Sequence, residues 1–191
     1  MAAIIPAETK VIICPGNGCT DIRKSNWYGM LHNKLEAQGI ISVCENFPDP
    51  NEAKRSIWLP HIESLGTDEG TILVGHSSGA QAALRYAETH KLKAVVLVAA
   101  TYSDLGDAGE RASGYYPRGN DNIYNFDAMK ANCPVWHQFH SNDDPFIPLR
   151  EAEKIREGLG LTGTYKMLPG HSHFFEFFPE LLDTIVELGS V

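Results

Sequence analysis

Ser77 is the residue whose surroundings most clearly suggest chemistry, because it stands in the segment 75–79 (GHSSG), a Gly-x-Ser-x-Gly pattern. A serine hydroxyl is a weak nucleophile until a base takes its proton and a third group orients that base. The apolar run 71–74 precedes the pattern and apolar residues at helical spacing follow it, so a predicted strand leads through a turn into a predicted helix. The turn is predicted to strain the backbone of Ser77, with Gly75 and Gly79 avoiding clashes against neighbouring backbone.

The Gly-x-Ser-x-Gly pattern alone is weak evidence. A chain with 17 glycines in 191 residues contains it by chance about one time in ten. The alternative is a strand-to-helix turn that binds a phosphate or nothing. The flanking strand and helix, together with a downstream aspartate and histidine in the order Ser, Asp, His, favour a nucleophilic serine.

Asp144 is the predicted acid that orients the base. It lies just past the predicted strand 135–140, and Pro145 disfavours helical backbone at this position. Functional groups gather at the carboxyl ends of strands in open α/β sheets, which is where Asp144 is expected to lie. Asp143 is the alternative acid, and a solvated Asp-Asp-Pro turn is the structural alternative to both.

His171 is the predicted base, because it follows Gly170 on a loop just after the last predicted strand and could reach Ser77. His173, two residues further on, is the alternative base. The His-x-His spacing also resembles a metal-binding pair, but no third ligand stands at an obvious spacing, so no metal is predicted. His76 is predicted to be a packing or hydrogen-bonding residue, because its side chain should point away from Ser77.

Backbone N–H groups stabilise the negative charge that develops on a carbonyl oxygen under nucleophilic attack. One is expected from Ser78 and another from the loop 15–18 (PGNG), which follows the first predicted strand. Pro15 has no N–H to donate. Asn17 is the preferred second donor, with Gly16 as the alternative.

Strands and helices alternate along the chain, which predicts a single α/β domain spanning 1–191. The strands are nearly all apolar, so a mostly parallel sheet of about six strands with helices on both faces is expected. The predicted strands cover 11–14, 40–44, 71–74, 94–100, 135–140 and 164–168. The predicted helices cover 27–38, 56–65, the stretch after Ser77, 150–159 and 177–188.

The segment 101–132 is the longest irregular stretch, with a weak helical pattern only in 125–131. A loop of this length in a compact domain is usually functional. It is too short for a large lid domain and is predicted to be a minimal cap, which suggests an open or shallow site for small or peptide-like substrates. Five aromatic residues near predicted strand ends could line an apolar pocket or belong to the core: Trp27, Tyr28, Trp58, Phe146 and Phe174.

Composition limits the class of partner. The formal net charge of −8 argues against nucleic-acid binding. No apolar run approaches the length of a membrane span, and the first nine residues lack the charged and apolar regions of a signal peptide. The four cysteines are scattered without a C-x-x-C pair, which suits free thiols in a reducing cytosol. A cytoplasmic protein is expected, with access to the nucleus left open.

The chain resembles the α/β-hydrolases and, more closely, the small serine hydrolases of the retinoblastoma-binding protein 9 type. The matching stretches cover nearly the whole chain: 15–18, 27–29, 56–60, 75–79, 85–90, 103–107, 111–115, 131–134 and 143–146. The resemblance implies a triad of Ser77, Asp144 and His171, no metal or organic cofactor, and hydrolysis of esters or amides of small substrates.

Two stretches depart from the family pattern. The family binds the retinoblastoma protein through a Leu-x-Cys-x-Glu motif, and Thr67 replaces the cysteine in the corresponding stretch 65–69 (LGTDE), which counts against that partnership. Residues 170–174 carry extra or shifted residues relative to the Gly-His-Phe of the family, which keeps His173 open as the base.

The main hypothesis is a serine hydrolase in which Ser77 attacks a carbonyl group and forms an acyl-enzyme. One alternative is a protein-interaction module on a hydrolase scaffold, which only the family resemblance favours. Another is a different reaction of the same triad, such as acyl transfer or a lyase reaction, because fold and triad do not fix the reaction.

Overall fold

Six strands form one sheet in the computed structural model, which describes residues 8–190. In chain order they are β1 (Lys10–Cys14), β2 (Ile41–Val43), β3 (Thr71–His76), β4 (Ala94–Val98), β5 (Val135–His140) and β6 (Tyr165–Met167). The strands lie in the order β2-β1-β3-β4-β5-β6, and every neighbouring pair is parallel. The predicted α/β fold class is therefore confirmed.

Seven helices accompany the strands in residues 8–190. They are α1 (Tyr28–Glu36), α2 (Arg55–Ser64), α3 (Ser78–Ala87), α4 (Ala108–Ser113), α5 (Phe126–Asn132), α6 (Leu149–Leu159) and α7 (Pro179–Gly189). Helices α1 and α7 pack on one face of the sheet, whereas α2, α3, α5 and α6 pack on the other. Both faces are covered, as the apolar strands predict.

Alternate residues of the strands supply two apolar layers. In β1, Val11 and Ile13 belong to the layer with α1 and α7, while Ile12 and Cys14 belong to the other layer. All four side chains are fully buried, and burying an aliphatic side chain of this size contributes about 1.5–3 kcal/mol. Because side chains alternate across a strand, a strand buried on both faces carries an unbroken apolar run. This is why the central strands β1, β3 and β4 are visible in the sequence.

The segment 101–132 is more ordered than predicted, since it contains the helices α4 and α5. The helical pattern in 125–131 corresponds to α5, but α4 has no counterpart in the prediction. Asp107 caps α4 by accepting a hydrogen bond from the Glu110 N–H, and Gly114 ends the helix in a left-handed conformation. A helix of six residues with one buried side chain has no apolar periodicity, so only its caps mark it.

A buried arginine fixes this segment onto α3. The Arg85 guanidinium donates hydrogen bonds to the carbonyl oxygens of Tyr115, Asn122 and Ile123, and it pairs with Glu88 at 2.7 Å. Burial lowers the pKa of Arg85, but these partners satisfy its donors. The segment is therefore tied to the helix that begins beside Ser77.

The predicted strands and helices end within two residues of the observed bounds, and α2 continues through Pro60. No helix among residues 8–190 is both long and apolar enough to cross a membrane. Residues 1–7, most of the stretch inspected for a signal peptide, lie outside the described residues.

Candidate active site

Ser77 lies at the junction between β3 and α3, with φ 53° and ψ −117°. Such a backbone is rare for a residue with a side chain and costs about 1–3 kcal/mol. The turn requires glycine on both sides. A Cβ on Gly75 would lie 2.5 Å from the Gly79 carbonyl oxygen, and a Cβ on Gly79 would collide with the carbonyl group of Cys14. The predicted strain at Ser77 and the two predicted backbone clashes are confirmed.

The turn places Ser77 directly before the first turn of α3. The first N–H groups of a helix have no acceptor within the helix, and they favour negative charge nearby. The N–H of Ser78 is the first of these groups. The structure is therefore compatible with Ser78 as a donor to an oxyanion on a substrate that Ser77 attacks.

The loop after β1 offers one further N–H group. The Gly16 N–H donates to the Tyr28 hydroxyl at 2.9 Å, and the Gly18 N–H donates to the Pro50 carbonyl oxygen at 2.7 Å. The N–H of Asn17, between them, has no acceptor among the described residues. The geometry therefore favours Asn17 over the alternative Gly16 as the second oxyanion donor.

His173 forms the hydrogen bond that the predicted acid requires. Its Nδ1–H donates to Asp144 Oδ2 at 2.7 Å, and Asp144 Oδ1 accepts the backbone N–H groups of Phe146 and Ile147. Burial of this carboxyl raises its pKa, but the hydrogen bond and charge of His173, helped by the two N–H groups, outweigh burial and hold the pKa below its ordinary value. An ionised Asp144 thus fixes the orientation and tautomer of the His173 ring.

His171, the base predicted from the sequence, takes a different position. Its ring stacks on that of Phe174 at a centroid distance of 5.2 Å. The backbone between the two histidines has a positive φ of 51° at Ser172, and the His171 ring contacts Phe174 and Phe178 instead of Asp144. Because Asp144 bonds to His173, the preference for His171 is corrected in favour of the alternative.

Asp143, the alternative acid, supports the loop rather than the imidazole. Its Oδ1 accepts the backbone N–H groups of Gly170 at 3.2 Å and Ser172 at 3.1 Å, as well as the Ser141 hydroxyl. These hydrogen bonds lower the pKa of Asp143, with that of Ser141 as the largest cause. The two neighbouring carboxylates have separate roles, because Asp144 orients the ring of the histidine and Asp143 orients the loop that carries it.

Ser77 and His173 line the same cavity, which has a volume of about 530 Å³. The mouth of this cavity is apolar, since Phe146, Phe175 and Leu105 are 59%, 44% and 39% exposed. The rings of Phe146 and Phe175 lie 5.1 and 5.6 Å from the His173 ring. A carbonyl group bound near Ser77 would therefore have apolar surface beside it. The remaining lining residues are Gly16, Asn17, Asn26, His76, Thr101, Glu110, Tyr116, Pro145 and Ile147.

Helix α4 reaches the cavity through Glu110. One carboxylate oxygen of Glu110 accepts the Tyr116 hydroxyl at 2.6 Å, and the other accepts the Asn17 side-chain amide at 3.3 Å. The segment 101–132 and the loop that carries Asn17 are thereby joined at the wall of the cavity.

Of the five aromatic residues considered for the pocket, Phe146 lines the cavity. Sequence reasoning misses Phe175, Leu105 and Glu110. A signal for Phe175 exists, because it lies two residues from His173, whereas Glu110 comes from a helix with no apolar periodicity. The other four aromatic residues are fully buried and belong to the core, which is the stated alternative for each: Trp27, Tyr28, Trp58 and Phe174.

The cysteines show no sign of nucleophilic chemistry. All four are buried free thiols, and burial raises the pKa of the Cys133 thiol to about 12, which disfavours the reactive thiolate at neutral pH. Within residues 8–190, no three histidine, cysteine, aspartate or glutamate side chains converge on a point that could hold a metal ion.

Similar sequences and folds occur among known proteins. Residues 11–178 match the family described as serine hydrolase. The chain is 49% identical over 155 residues to the Rattus norvegicus protein named serine hydrolase RBBP9, covering 80% of this chain and 81% of that one. The fold resembles the ydeN gene product of B. subtilis, with a TM-score of 0.82 and 20% identity over 96% of this chain and 100% of that one. It also resembles a monoacylglycerol lipase of Paleococcus ferrophilus, with a TM-score of 0.65 and 20% identity over 96% of each chain. At 20% identity, the two structural likenesses bear on the fold alone.

Proposed function

Since the chain belongs to the serine hydrolase family, we propose that it hydrolyses esters or amides through an acyl-enzyme on Ser77. Family membership confirms the resemblance found in the sequence. The observation that carries the proposal is the 2.7 Å hydrogen bond between His173 and buried Asp144, on the wall of the cavity that Ser77 also lines. A nucleophile, a base and an acid that orients the base are the groups that this chemistry needs.

In the first half of the proposed reaction, Ser77 Oγ attacks the carbonyl carbon and its proton passes to His173 Nε2. Asp144 stabilises the imidazolium ion that forms. The N–H groups of Ser78 and Asn17 stabilise the oxyanion, and a well-placed donor of this kind contributes about 3–4 kcal/mol. His173 then gives the proton to the departing alcohol or amine, the C–O or C–N bond breaks, and the acyl group stays on Ser77.

In the second half, water attacks the acyl group and His173 takes the proton of the water molecule. The imidazolium returns that proton to Ser77 Oγ as the acid product leaves. The hydrogen bonds of the described residues include none from the Ser77 hydroxyl to His173. Catalytic hydrogen bonds of this type often tighten only when a substrate is bound, so the proposal requires that Ser77 and His173 form this hydrogen bond in the substrate complex.

The apolar mouth of the cavity supports a substrate with an apolar group beside the scissile bond. Phe146, Phe175 and Leu105 supply this surface, and each methylene group buried there contributes about 0.8 kcal/mol. A volume of about 530 Å³ suits a small or peptide-like substrate. Acyl transfer to another acceptor or a lyase reaction would use the same residues, and product analysis would separate them from hydrolysis.

The experiment that tests the proposal replaces Ser77 by alanine. Turnover of a p-nitrophenyl ester by Ser77→Ala is expected to fall by roughly 10⁴-fold or more. Ser64→Ala is the matched control, since it removes a serine hydroxyl at the end of α2 and should retain the wild-type rate. A Ser77→Ala protein that keeps a near-wild-type rate would end the proposal.

A further inference from the structure

His76 lies directly before Ser77 and is buried between Tyr28, at the start of α1, and the loop that carries His173. Its Nε2 lies 2.8 Å from the His173 carbonyl oxygen, and its Nδ1 lies 2.5 Å from the Tyr28 hydroxyl. A carbonyl oxygen can only accept, so Nε2 carries the proton and Nδ1 accepts from Tyr28. Burial, with a smaller contribution from the charge of His173, lowers the pKa of His76 to about 3. The ring is therefore neutral and held in one tautomer at physiological pH.

The Tyr28 hydroxyl extends these hydrogen bonds to the loop 15–18 after β1, called the oxyanion loop here because it carries Asn17. It gives its one proton to His76, and it accepts hydrogen bonds from the Gly16 N–H at 2.9 Å and from Asn26 Nδ2 at 3.0 Å. Tyr28 is fully buried, which shields these bonds from bulk solvent. A continuous relay of donors therefore runs from the Gly16 N–H through Tyr28 and His76 to the carbonyl oxygen of His173.

We propose that Tyr28 and His76 are positioning residues that fix the oxyanion loop and the catalytic base relative to each other. One end of the relay holds Gly16, which directly precedes the oxyanion donor Asn17. The other end holds the backbone carbonyl of His173 itself. Because Tyr28 occupies the Gly16 N–H, it also leaves the N–H of Asn17 as the free donor. The inference rests on the proposed hydrolase function.

Tyr28→Phe is the first test, because it removes one hydroxyl and keeps the ring that packs edge-on against Trp27. The assay measures kcat for a p-nitrophenyl ester per active site, with the sites counted by stoichiometric reaction with a fluorophosphonate. The kcat per site is expected to fall by roughly tenfold to a hundredfold, with a smaller change in KM, because misplacing a catalytic group by about 1 Å costs up to about 10²-fold. Loss of folded protein would lower the number of sites but not kcat per site.

Tyr86→Phe is the matched control. Tyr86 is also a buried tyrosine whose hydroxyl bonds to a side chain, that of Thr67. It lies on α3 and does not line the cavity of Ser77. Its kcat per site should stay within about twofold of the wild-type value, because the geometry of the catalytic groups is untouched.

Two substitutions of His76 separate the ends of the relay. His76→Gln keeps a donor near the Nε2 position and loses the acceptor for Tyr28, whereas His76→Asn keeps an acceptor near Nδ1 and loses the donor to His173. Both should lower kcat per site. Because His76→Gln and Tyr28→Phe remove the same hydrogen bond, the double variant should be no slower than Tyr28→Phe alone.

A Tyr28→Phe protein with wild-type kcat per site would overturn the relay, as would a double variant whose losses multiply. A loss in Tyr86→Phe as large as that in Tyr28→Phe would overturn it too. Failure of the proposed function gives a different result: the wild-type protein would then neither react with the fluorophosphonate nor hydrolyse the ester.

Discussion

Replacing His173 and His171 in turn should distinguish the base from a packing residue. His173 donates to Asp144 at 2.7 Å and lines the cavity of Ser77. His171 instead stacks on Phe174 in the apolar layer beneath the loop. Only His173→Ala therefore removes the proposed acceptor of the serine proton.

The two substitutions should differ by several orders of magnitude in rate. His173→Ala is expected to lower kcat by roughly 10⁴- to 10⁶-fold, which is about 5.5–8 kcal/mol of transition-state stabilisation. It also leaves the buried Asp144 carboxylate with two backbone N–H partners, so the free energy of unfolding should fall by about 1–3 kcal/mol. His171→Ala loses an aromatic contact worth about 0.5–1.5 kcal/mol of stability, and its kcat should stay within about threefold of wild type.

The assay is steady-state hydrolysis of a p-nitrophenyl ester at pH 7 by both variants. Melting temperatures measured on the same preparations show whether each variant is folded. A folded His173→Ala protein that keeps more than about a tenth of the wild-type kcat would exclude His173 as the base. A His171→Ala protein that is as slow as His173→Ala would contradict the packing role of His171.

Three further outcomes are expected. Asp143→Ala should lower kcat about tenfold, because the loop that carries His173 loses the carboxylate that accepts the N–H groups of Gly170 and Ser172. Asp144→Asn should lower kcat by about 10⁴-fold. Steady-state kinetics measure both variants, and equal losses would contradict the separate roles of the two carboxylates. In a series of p-nitrophenyl esters, each added acyl methylene should raise kcat/KM by up to about fourfold until the cavity is full; Phe175→Ala should reduce this increment, and an unchanged increment would place the acyl group elsewhere. The free energy of unfolding should rise with pH between about 3 and 6.5, because the pKa of buried His76 is about 3 in the folded chain against 6.5 as the ordinary value, so below pH 6.5 the unfolded chain binds a proton that the folded chain does not. Urea denaturation at several pH values across this range measures how steeply the free energy of unfolding rises with pH. This slope should be smaller in His76→Asn than in the wild-type protein by up to about 1.4 kcal/mol per pH unit. An identical slope in the two proteins would show that His76 is protonated in the folded chain.

The sequence predicts those strands and helices in which burial requires apolar residues along the whole element. The strand β4 was predictable from its first residue, because all five of its residues are apolar and fully buried. The strained turn at Ser77 was predictable because a Cβ at Gly75 or Gly79 would clash with backbone atoms only. Any sequence that forms this turn therefore needs glycine at both positions, and the Gly-x-Ser-x-Gly pattern shows it.

The choice between two histidines on one loop could not be predicted in this way. It depends on the positive φ at Ser172 and on hydrogen bonds from the loop to Asp143, and none of these leaves a periodic signal. For the same reason, the sequence could not show which aromatic residues line the pocket. Phe174 is buried and Phe175 is exposed, although the two are adjacent and chemically identical.

Whether Ser77 is the nucleophile is best measured by the mass spectrum of the protein after reaction with a fluorophosphonate, followed by identification of the modified peptide. One added group per chain is expected on Ser77, with no addition to Ser77→Ala and much slower addition to His173→Ala. Modification of another residue, or equal modification of the Ser77→Ala protein, would contradict this expectation.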